Sequence, residues 1–357
     1  MMLAFIATDD HQYTFRDILE TRAHPFHGGV LFLSHADFLS WPRLPVADYV
    51  FVDLERLPLP ELGAAAARFA ALGRVLPEVR ALNRPTPALT RIGVMRRLHD
   101  SGINDFRVLT AREALALADQ GAGPRFPVFV RRLDDHDGPM SALIADAAAL
   151  RAAIAIAGAA GAPAETLAVT EYIDARNADG LHEKLSYFRL GARLFPSARD
   201  VSRNWVCKGL LEDPDTVSEP DRERAFLAGN PHAEELGRAF AAAGIDYGRA
   251  DYAMVDGRAR IFEINTNPLL DDPATLPPAL QTYARLLIDR WLDALAAFSA
   301  PAPGPVRWVA VPGAAAPAPR AGRHRLRRAV RGLLATVGGL QQETRVARAL
   351  RAAGIGR

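Results

Sequence analysis

The chain has 357 residues, 49% hydrophobic and 24% charged, with a formal net charge of +2, which is length enough for two or three globular units with ordinary cores. No run reaches the ~18 apolar residues of a membrane span, and the start Met1-Met2-Leu3-Ala4-Phe5 lacks the basic opening of a signal peptide. The single cysteine, Cys207, excludes an internal disulfide and a cysteine-built zinc site, which fits a reducing cytoplasm.

Residues 3–8, 30–34 and 49–53 read as strands and residues 61–72 as an alanine-rich helix, so the first 84 residues predict a small parallel α/β layer. It carries no glycine-rich dinucleotide fingerprint, and His24, His27 and His35 are too scattered for a metal site. Residues 83–87, Asn-Arg-Pro-Thr-Pro, read as a linker, because each proline restricts its predecessor to extended geometry. A helix over 88–101 then carries Arg91 and stops at Gly102. Residues 126–132 form a strand ending in Arg131-Arg132, and the loop beyond it, 133–139, holds three aspartates, His136 and one glycine. Another strand over 167–174 ends in Glu171-Tyr172-Ile173-Asp174.

Residues 181–190 and 193–197 predict a hairpin around Gly191-Ala192, with Lys184 on its first strand. The loop 200–209 contains Arg203, Asn204, Trp205, Cys207 and Lys208, with Trp205 read as a packing anchor and Cys207 as a half-buried small residue. Lys184 and Lys208 are the only lysines among 43 basic residues; where arginine is so preferred, these two positions call for a compact point charge. One or two helices over 220–243 present Leu227, Leu236 and Phe240 on an apolar side.

The most informative stretch is 248–268. Residues 251–255 and 258–264 read as strands joined by the Asp256-Gly257 turn pair. Alternation puts Glu263 and Asn265 on one face, and a two-residue turn brings Asp251 within a residue or two of Glu263. Two carboxylates and an amide suit Mg²⁺, which keeps several waters and shares its other positions with phosphates. Arg249 projects to the same side and adds a fixed cation. Residues 275–298 form an amphipathic helix using Leu280, Tyr283, Leu287, Trp291 and Leu295.

From residue 300 the composition turns to Pro and Ala, a semi-rigid linker, followed by a segment 320–357 with ten arginines and one acid. Before it stand 33 basic and 40 acidic residues, so the body is no nucleic-acid binder by charge. The tail reads as a solvated segment or as a basic helix for a weak anionic partner.

Gly248-Arg249-Ala250-Asp251, the Asp-Gly turn and Phe262-Glu263-Ile264-Asn265-Thr266-Asn267-Pro268 resemble the metal-binding end of the ATP-grasp superfamily. That group includes D-alanine–D-alanine ligases, glutathione synthetases and ribosomal-protein glutamate ligases, and the resemblance runs over residues 83–293. It implies an α/β (α+β) fold in which two α+β subdomains, 85–170 and 171–299, clasp ATP. Ahead of them would stand a pre-ATP-grasp domain at 1–84 that helps bind the acceptor, and 300–357 would be linker and tail. It also implies ATP with Mg²⁺, or Mn²⁺ in its place, held by Asp251, Glu263 and Asn265. Arg91, Arg131, Lys184 and Lys208 would meet phosphates, with Lys208 and Arg249 acting at the transferring group. Glu171, Tyr172 and Ile173 would offer backbone groups to adenine. The reaction expected is carboxylate activation as an acylphosphate followed by attack of an amine or thiol, on small-molecule or peptide substrates. The alternatives are a phosphotransferase on the same fold and a non-catalytic ATP sensor. Leu269 replaces the family's usual glycine after Asn-Thr-x-Pro, which leaves the acceptor open.

Overall fold

The computed structural model describes residues 2–314 except 10, 22–23, 134–137, 210–212 and 302. Both the acidic loop after Arg131 and the arginine-rich tail therefore lie outside the described residues, wholly or in large part. In chain order the elements are β1 (Met2–Ala7), α1 (Tyr13–Thr21), β2 (Val30–Ser34), α2 (His35–Ser40), β3 (Arg43–Pro45), β4 (Ala47–Phe51), α3 (Leu59–Val75), β5 (Ala81–Leu82), α4 (Arg91–Asp100), β6 (Val108–Thr110), α5 (Ala111–Asp119), β7 (Val128–Arg132), α6 (Ala147–Ala159), β8 (Leu167–Glu171), β9 (His182–Leu190), β10 (Arg193–Ser202), α7 (Pro220–Gly229), α8 (Ala233–Ala243), β11 (Tyr247–Val255), β12 (Arg258–Asn265), α9 (Pro278–Phe298) and β13 (Trp308–Ala310). The fold is mixed α/β, with a parallel and an antiparallel sheet of four strands each and a three-stranded sheet in which β7 and β8 run antiparallel.

Two compact units make up the chain: Met1–Phe38, Pro42–Val108 and Ile173–Gly313 form one, and Leu109–Tyr172 builds most of the other. The first contains two sheets. In the parallel sheet the order is β2-β1-β4-β5, and in the antiparallel sheet it is β10-β9-β11-β12. The strand β1 is buried at every residue, as expected where helices and other elements cover both faces of a parallel layer. Between the two sheets a single apolar cluster joins Phe5 and Phe15 to Phe188, Tyr247, Trp291 and Leu295. Phe5 stacks on Phe15 at 4.4 Å, and Trp291 donates its indole N–H to the Tyr247 hydroxyl at 3.2 Å, so the large ring is buried without an orphaned donor. Each fully buried large side chain here contributes about 1.5–3 kcal/mol.

The stretch read as a linker at 83–87 begins differently. Asn83 is buried and sits in the left-handed region, φ 53°, where asparagine is tolerated better than most residues. Its amide donates to Phe51 O (3.1 Å) and Tyr247 O (2.7 Å) and accepts from the N–H groups of Asp246 and Tyr247 (3.0 and 3.1 Å). It is thus a staple between the end of β4 and the start of β11. The proline-rich segment after residue 300 also departs from a plain linker, because β13 pairs antiparallel with β3. Arg68, buried in α3, donates to the carbonyls of Val311 and Pro312, both at 2.6 Å. His35 is a core histidine, bonded to Val52 O at 2.8 Å, and burial pushes its pKa down.

The second unit has the sheet order β6-β8-β7, with α5 and α6 contributing to one apolar core around Val128, Val130, Leu150, Ile154 and Val169. Thr110 and Glu113 close α5 with a reciprocal capping box. No helix among the described residues is long and apolar enough to cross a membrane.

Candidate functional site

The turn between β11 and β12 forms as its sequence dictates, with Asp256 and Gly257 both at positive φ, 51° and 72°. Val255 pairs with Arg258, and by simple counting Phe262 would face Asp251. It does not, because the register shifts at Asp251/Tyr252 and Phe262 becomes the extra residue of a β-bulge. Glu263 is thereby carried opposite Asp251, and Asn265 opposite Arg249. On the edge strand β12, Asn104 secures this irregularity by donating to Ile261 O (2.9 Å) and accepting from Ile261 N (2.8 Å). Arg260 adds a bidentate bond to Asp105 at 3.0 and 2.9 Å.

One face of the sheet carries charge. Asp251 pairs across β9 with Ser186, and on the neighbouring strand Asp200 faces Lys184. Ser186 Oγ donates to Asp251 Oδ1 at 2.9 Å, and Arg249 Nε donates to the same oxygen at 3.1 Å. Lys184 Nζ lies 3.1 Å from Asp200 Oδ2, and Arg91 Nη1, at the start of α4, lies 3.8 Å from Glu263 Oε2. Three cations and three carboxylates thus balance on one patch. The opposite face combines aromatic rings with a second ion cluster: Tyr187 meets Tyr252 and Phe226 edge-on, His232 bonds the Tyr252 hydroxyl at 2.6 Å, and Arg199 lies 2.6 Å from Glu183 and 2.7 Å from Glu219.

The electrostatics follow from this packing. Burial is the largest influence on Lys184 and pushes its ammonium down, but Asp251 and Asp200 outweigh it, so the net shift is upward and the charge is held. For Arg249 the carboxylate of Asp251 is the largest influence and raises its pKa further, against burial. Burial pushes the Cys207 thiol up to about 12, so this cysteine is no nucleophile at neutral pH.

Glu223 of α7 is raised to about 7, first by burial and then by Asp200. Its folded pKa exceeds the unfolded value of 4.5, so folding disfavours its ionised form and stability declines as pH rises from about 4.5 through about 7. Glu223→Gln is expected to raise the melting temperature at pH 8 and leave it unchanged at pH 4; equal shifts at both values would remove this assignment.

Of the residues singled out in the sequence, Arg91, Lys184, Arg249, Asp251, Glu263 and Asn265 come together in the first unit. Arg91 is buried, facing Glu263 rather than standing out from its helix. Lys184 is no surface lysine, its side chain being only 20% exposed. Asn265 turns its side-chain oxygen toward Asn267 N, 2.8 Å away, so one of its lone pairs is already used. Lys208 is exposed on the loop beyond β10. That loop returns to its base at Gly209, whose φ is +78° and where an added Cβ would come within 2.9 Å of Asp200 Oδ1.

In the second unit, Arg131 lies half-buried on β7. Glu171 is buried, its carboxylate accepting from Arg125 N at 2.7 Å, and the Tyr172 N–H donates to Pro127 O at 2.9 Å. The Tyr172 N–H expected for a purine edge is therefore engaged within its own unit. Ser186 and Asp200 were not assigned a role from sequence, yet period-two alternation from Lys184 places Ser186 on the same face.

A cation would find hard oxygen donors at Asp251 and Glu263. Among the described residues no group of three His, Cys, Asp or Glu gathers tightly enough to hold a metal by itself. Two carboxylates with positions left for water and phosphate is the pattern of Mg²⁺ bound together with a nucleotide, and the donor set fits that ion.

No protein-family model matches the chain, and no curated protein matches it either. Among solved structures, the chain is similar to ATP-grasp proteins. One is the RimK domain protein ATP-grasp from Sphaerobacter thermophilus, at 16% identity and a TM-score of 0.45, covering 81% of this chain and 99% of that one. Another is D-alanine–D-alanine ligase from Bacillus anthracis complexed with ATP, at 14% identity and a TM-score of 0.44, covering 83% and 98%. The same enzyme from Coxiella burnetii gives 15%, 0.44, 84% and 98%.

Proposed function

We propose that the protein is an ATP-grasp enzyme, an ATP-dependent ligase that joins a carboxylate to an amine or thiol by way of an acylphosphate. The observation that carries this reading is the Asp251–Glu263 pair, brought opposite by a bulge and flanked by Arg249, Lys184 and Arg91. Mg²⁺ held by Asp251 and Glu263, with Asn265 beside them, would neutralise charge on the β- and γ-phosphates. Mn²⁺ offers the same chemistry.

The residues themselves bind and orient. Lys184 and Arg249 supply positive charge for phosphate oxygens. When those oxygens arrive, they take over from the carboxylates that now hold each cation. A carboxylate oxygen of the substrate attacks the γ-phosphorus and ADP leaves. An amine then attacks the acyl carbon, phosphate departs and the amine proton passes to solvent. The protein forms no covalent bond, so positioning and fixed charge supply the rate. The phosphate contacts of Arg131 and Lys208 and the adenine contacts of Glu171, Tyr172 and Ile173 are proposals resting on the sequence resemblance.

The test is an ADP-release screen of amino acids, dipeptides and other small carboxylates with ATP, Mg²⁺ and hydroxylamine. A hydroxamate product is the expected result, since hydroxylamine captures an acylphosphate and not a phosphate ester. ADP release with no hydroxamate would point to a phosphotransferase; ATP binding with no ADP release from any acid would make the protein a sensor.

A further inference from the structure

Ser186 stands in the middle of the charged row, only 2% exposed, and among the described residues its hydroxyl has one hydrogen-bond partner, Asp251 Oδ1 at 2.9 Å. Two irregularities of the sheet arrange this. One is the bulge at Phe262, which carries Glu263 opposite Asp251. The other lies on β10. Counting from the Arg193–Leu190 pair, Ser197 would face Ser186 and Arg199 would face Lys184, but the register shifts between Pro196 and Ala198 and Ser197 becomes the extra residue. Ala198 therefore faces Ser186, and Asp200 faces Lys184. In a straight ladder a second hydroxyl would compete for Ser186, and two cations would oppose each other across the strands. With the shift, the Ser186 hydroxyl is left to Asp251 alone.

The two oxygens of Asp251 are in different situations. Oδ1 accepts from Ser186 Oγ at 2.9 Å and from Arg249 Nε at 3.1 Å, whereas Oδ2 accepts from none of the described residues and is not sealed from solvent. A carboxylate fixed through one oxygen offers the other in a set direction, and such support behind a ligand raises its affinity for a metal. The two donors on Oδ1 differ in permanence. Arg249 is a cation that an arriving phosphate draws away from Asp251, while Ser186 is buried and carries no charge to offer a phosphate. Once Arg249 turns to the nucleotide, Ser186 is the group that still fixes Oδ1.

Resting on the ligase reading, we propose that Ser186 is a positioning residue of the cation site: its hydroxyl holds Asp251 Oδ1 against β9 and leaves Oδ2 for the metal when nucleotide is bound. Ser186 touches neither metal nor nucleotide and acts only through Asp251. Its loss therefore weakens binding of the metal–nucleotide pair and leaves binding of metal-free nucleotide as it was. The bulge at Ser197 belongs to the same arrangement, since it keeps both Ser197 and Arg199 off this row.

The test is calorimetric titration of the full chain with the non-hydrolysable analogue β,γ-imido-ATP, once with Mn²⁺ and once with EDTA. With Mn²⁺, Ser186→Ala is expected to bind the analogue about 10-fold more weakly than wild type, the scale for removing support from a metal ligand; with EDTA it is expected to match wild type. Ser186→Cys, which fills the space but is a weak donor, is expected to follow Ser186→Ala, and Ser186→Thr, which keeps the hydroxyl and suits a strand, to follow wild type. A packing role would instead part cysteine from alanine and weaken binding under both conditions. Wild-type affinity of Ser186→Ala with Mn²⁺, an equal loss with EDTA, or no tightening of wild-type binding by Mn²⁺ would overturn the proposal. Should Ser186→Ala fail to fold, Ser186→Cys against Ser186→Thr decides it. The two readings fail separately: a metal-dependent loss in Ser186→Ala with no hydroxamate from the wild-type chain retires the ligase and keeps the positioning role, whereas a hydroxamate with unchanged metal-dependent binding in Ser186→Ala does the reverse.

Discussion

Glu263→Gln is expected to bind ATP within a few-fold of wild type and to lose about 10²–10³-fold in turnover, the scale seen when one preorganised charge is removed from a transferring group. The substitution is isosteric and takes away a single charge opposite Asp251, leaving the bulge and its Asn104 clamp in place. Asp251→Asn is expected to lose turnover similarly but also to cost stability, about 1–3 kcal/mol. The difference arises because Asp251 accepts from both Ser186 and Arg249 and is the largest upward influence on Lys184. Removing its charge leaves Arg249 without its closest counter-charge and lowers the Lys184 pKa. ADP release and denaturant titration on both variants check the pair of outcomes. Wild-type turnover in both would sink the assignment of the carboxylate pair.

Much of this arrangement was written locally. The Asp256-Gly257 turn, the alternation that aligns Glu263 with Asn265, and the side shared by Arg249 and Asp251 all depend on neighbours in sequence, and each appears in the structure. The mixed α/β architecture was legible for the same reason: β1, β2 and β4 and the alanine-rich helix α3 after them follow period and punctuation, whereas α1 and α2 were not read from the sequence. What sequence could not reveal depends on contacts across hundreds of residues. The bulge at Phe262 has no glycine to announce it, and it is stabilised by Asn104, 157 positions away from its partner Ile261. Asn83 looked like the start of a linker because prolines follow it, whereas its amide is spent on Phe51, Asp246 and Tyr247. Asp53 read as the last residue of a strand, while the strand ends at Phe51 and Asp53 turns left-handed to meet Thr8 and Asn267. Polar side chains that staple distant segments carry no periodic signature, so they are the last features a sequence gives up.

Asn83→Ala is expected to destabilise the first unit by at least about 3 kcal/mol. Two buried N–H groups and two buried carbonyls lose their partner together, each loss costing about 1–3 kcal/mol and not adding fully. Three substitutions separate the causes. Asn83→Gly tolerates φ 53° and removes only the side-chain bonds, so it should stand about 1 kcal/mol above alanine, the cost of a left-handed residue with a Cβ. Asn83→Asp keeps the two accepted bonds but turns a carboxylate toward the carbonyls of Phe51 and Tyr247. It also approaches Asp246, whose own carboxyl is already raised, chiefly by burial. The aspartate pKa would then be raised in the folded state, so stability should be better at pH 5 than at pH 8, the opposite of a salt-bridged acid. Tryptophan fluorescence during denaturant titration reports the transition, because Trp291 sits in the core that Tyr247 shares. A flat pH response of Asn83→Asp, or an alanine variant as stable as wild type, would mean that the staple does not hold β11. Where it does hold, folded Asn83→Gly should also lose turnover, since the start of β11 sets the position of Arg249 and Asp251 two and four residues further on.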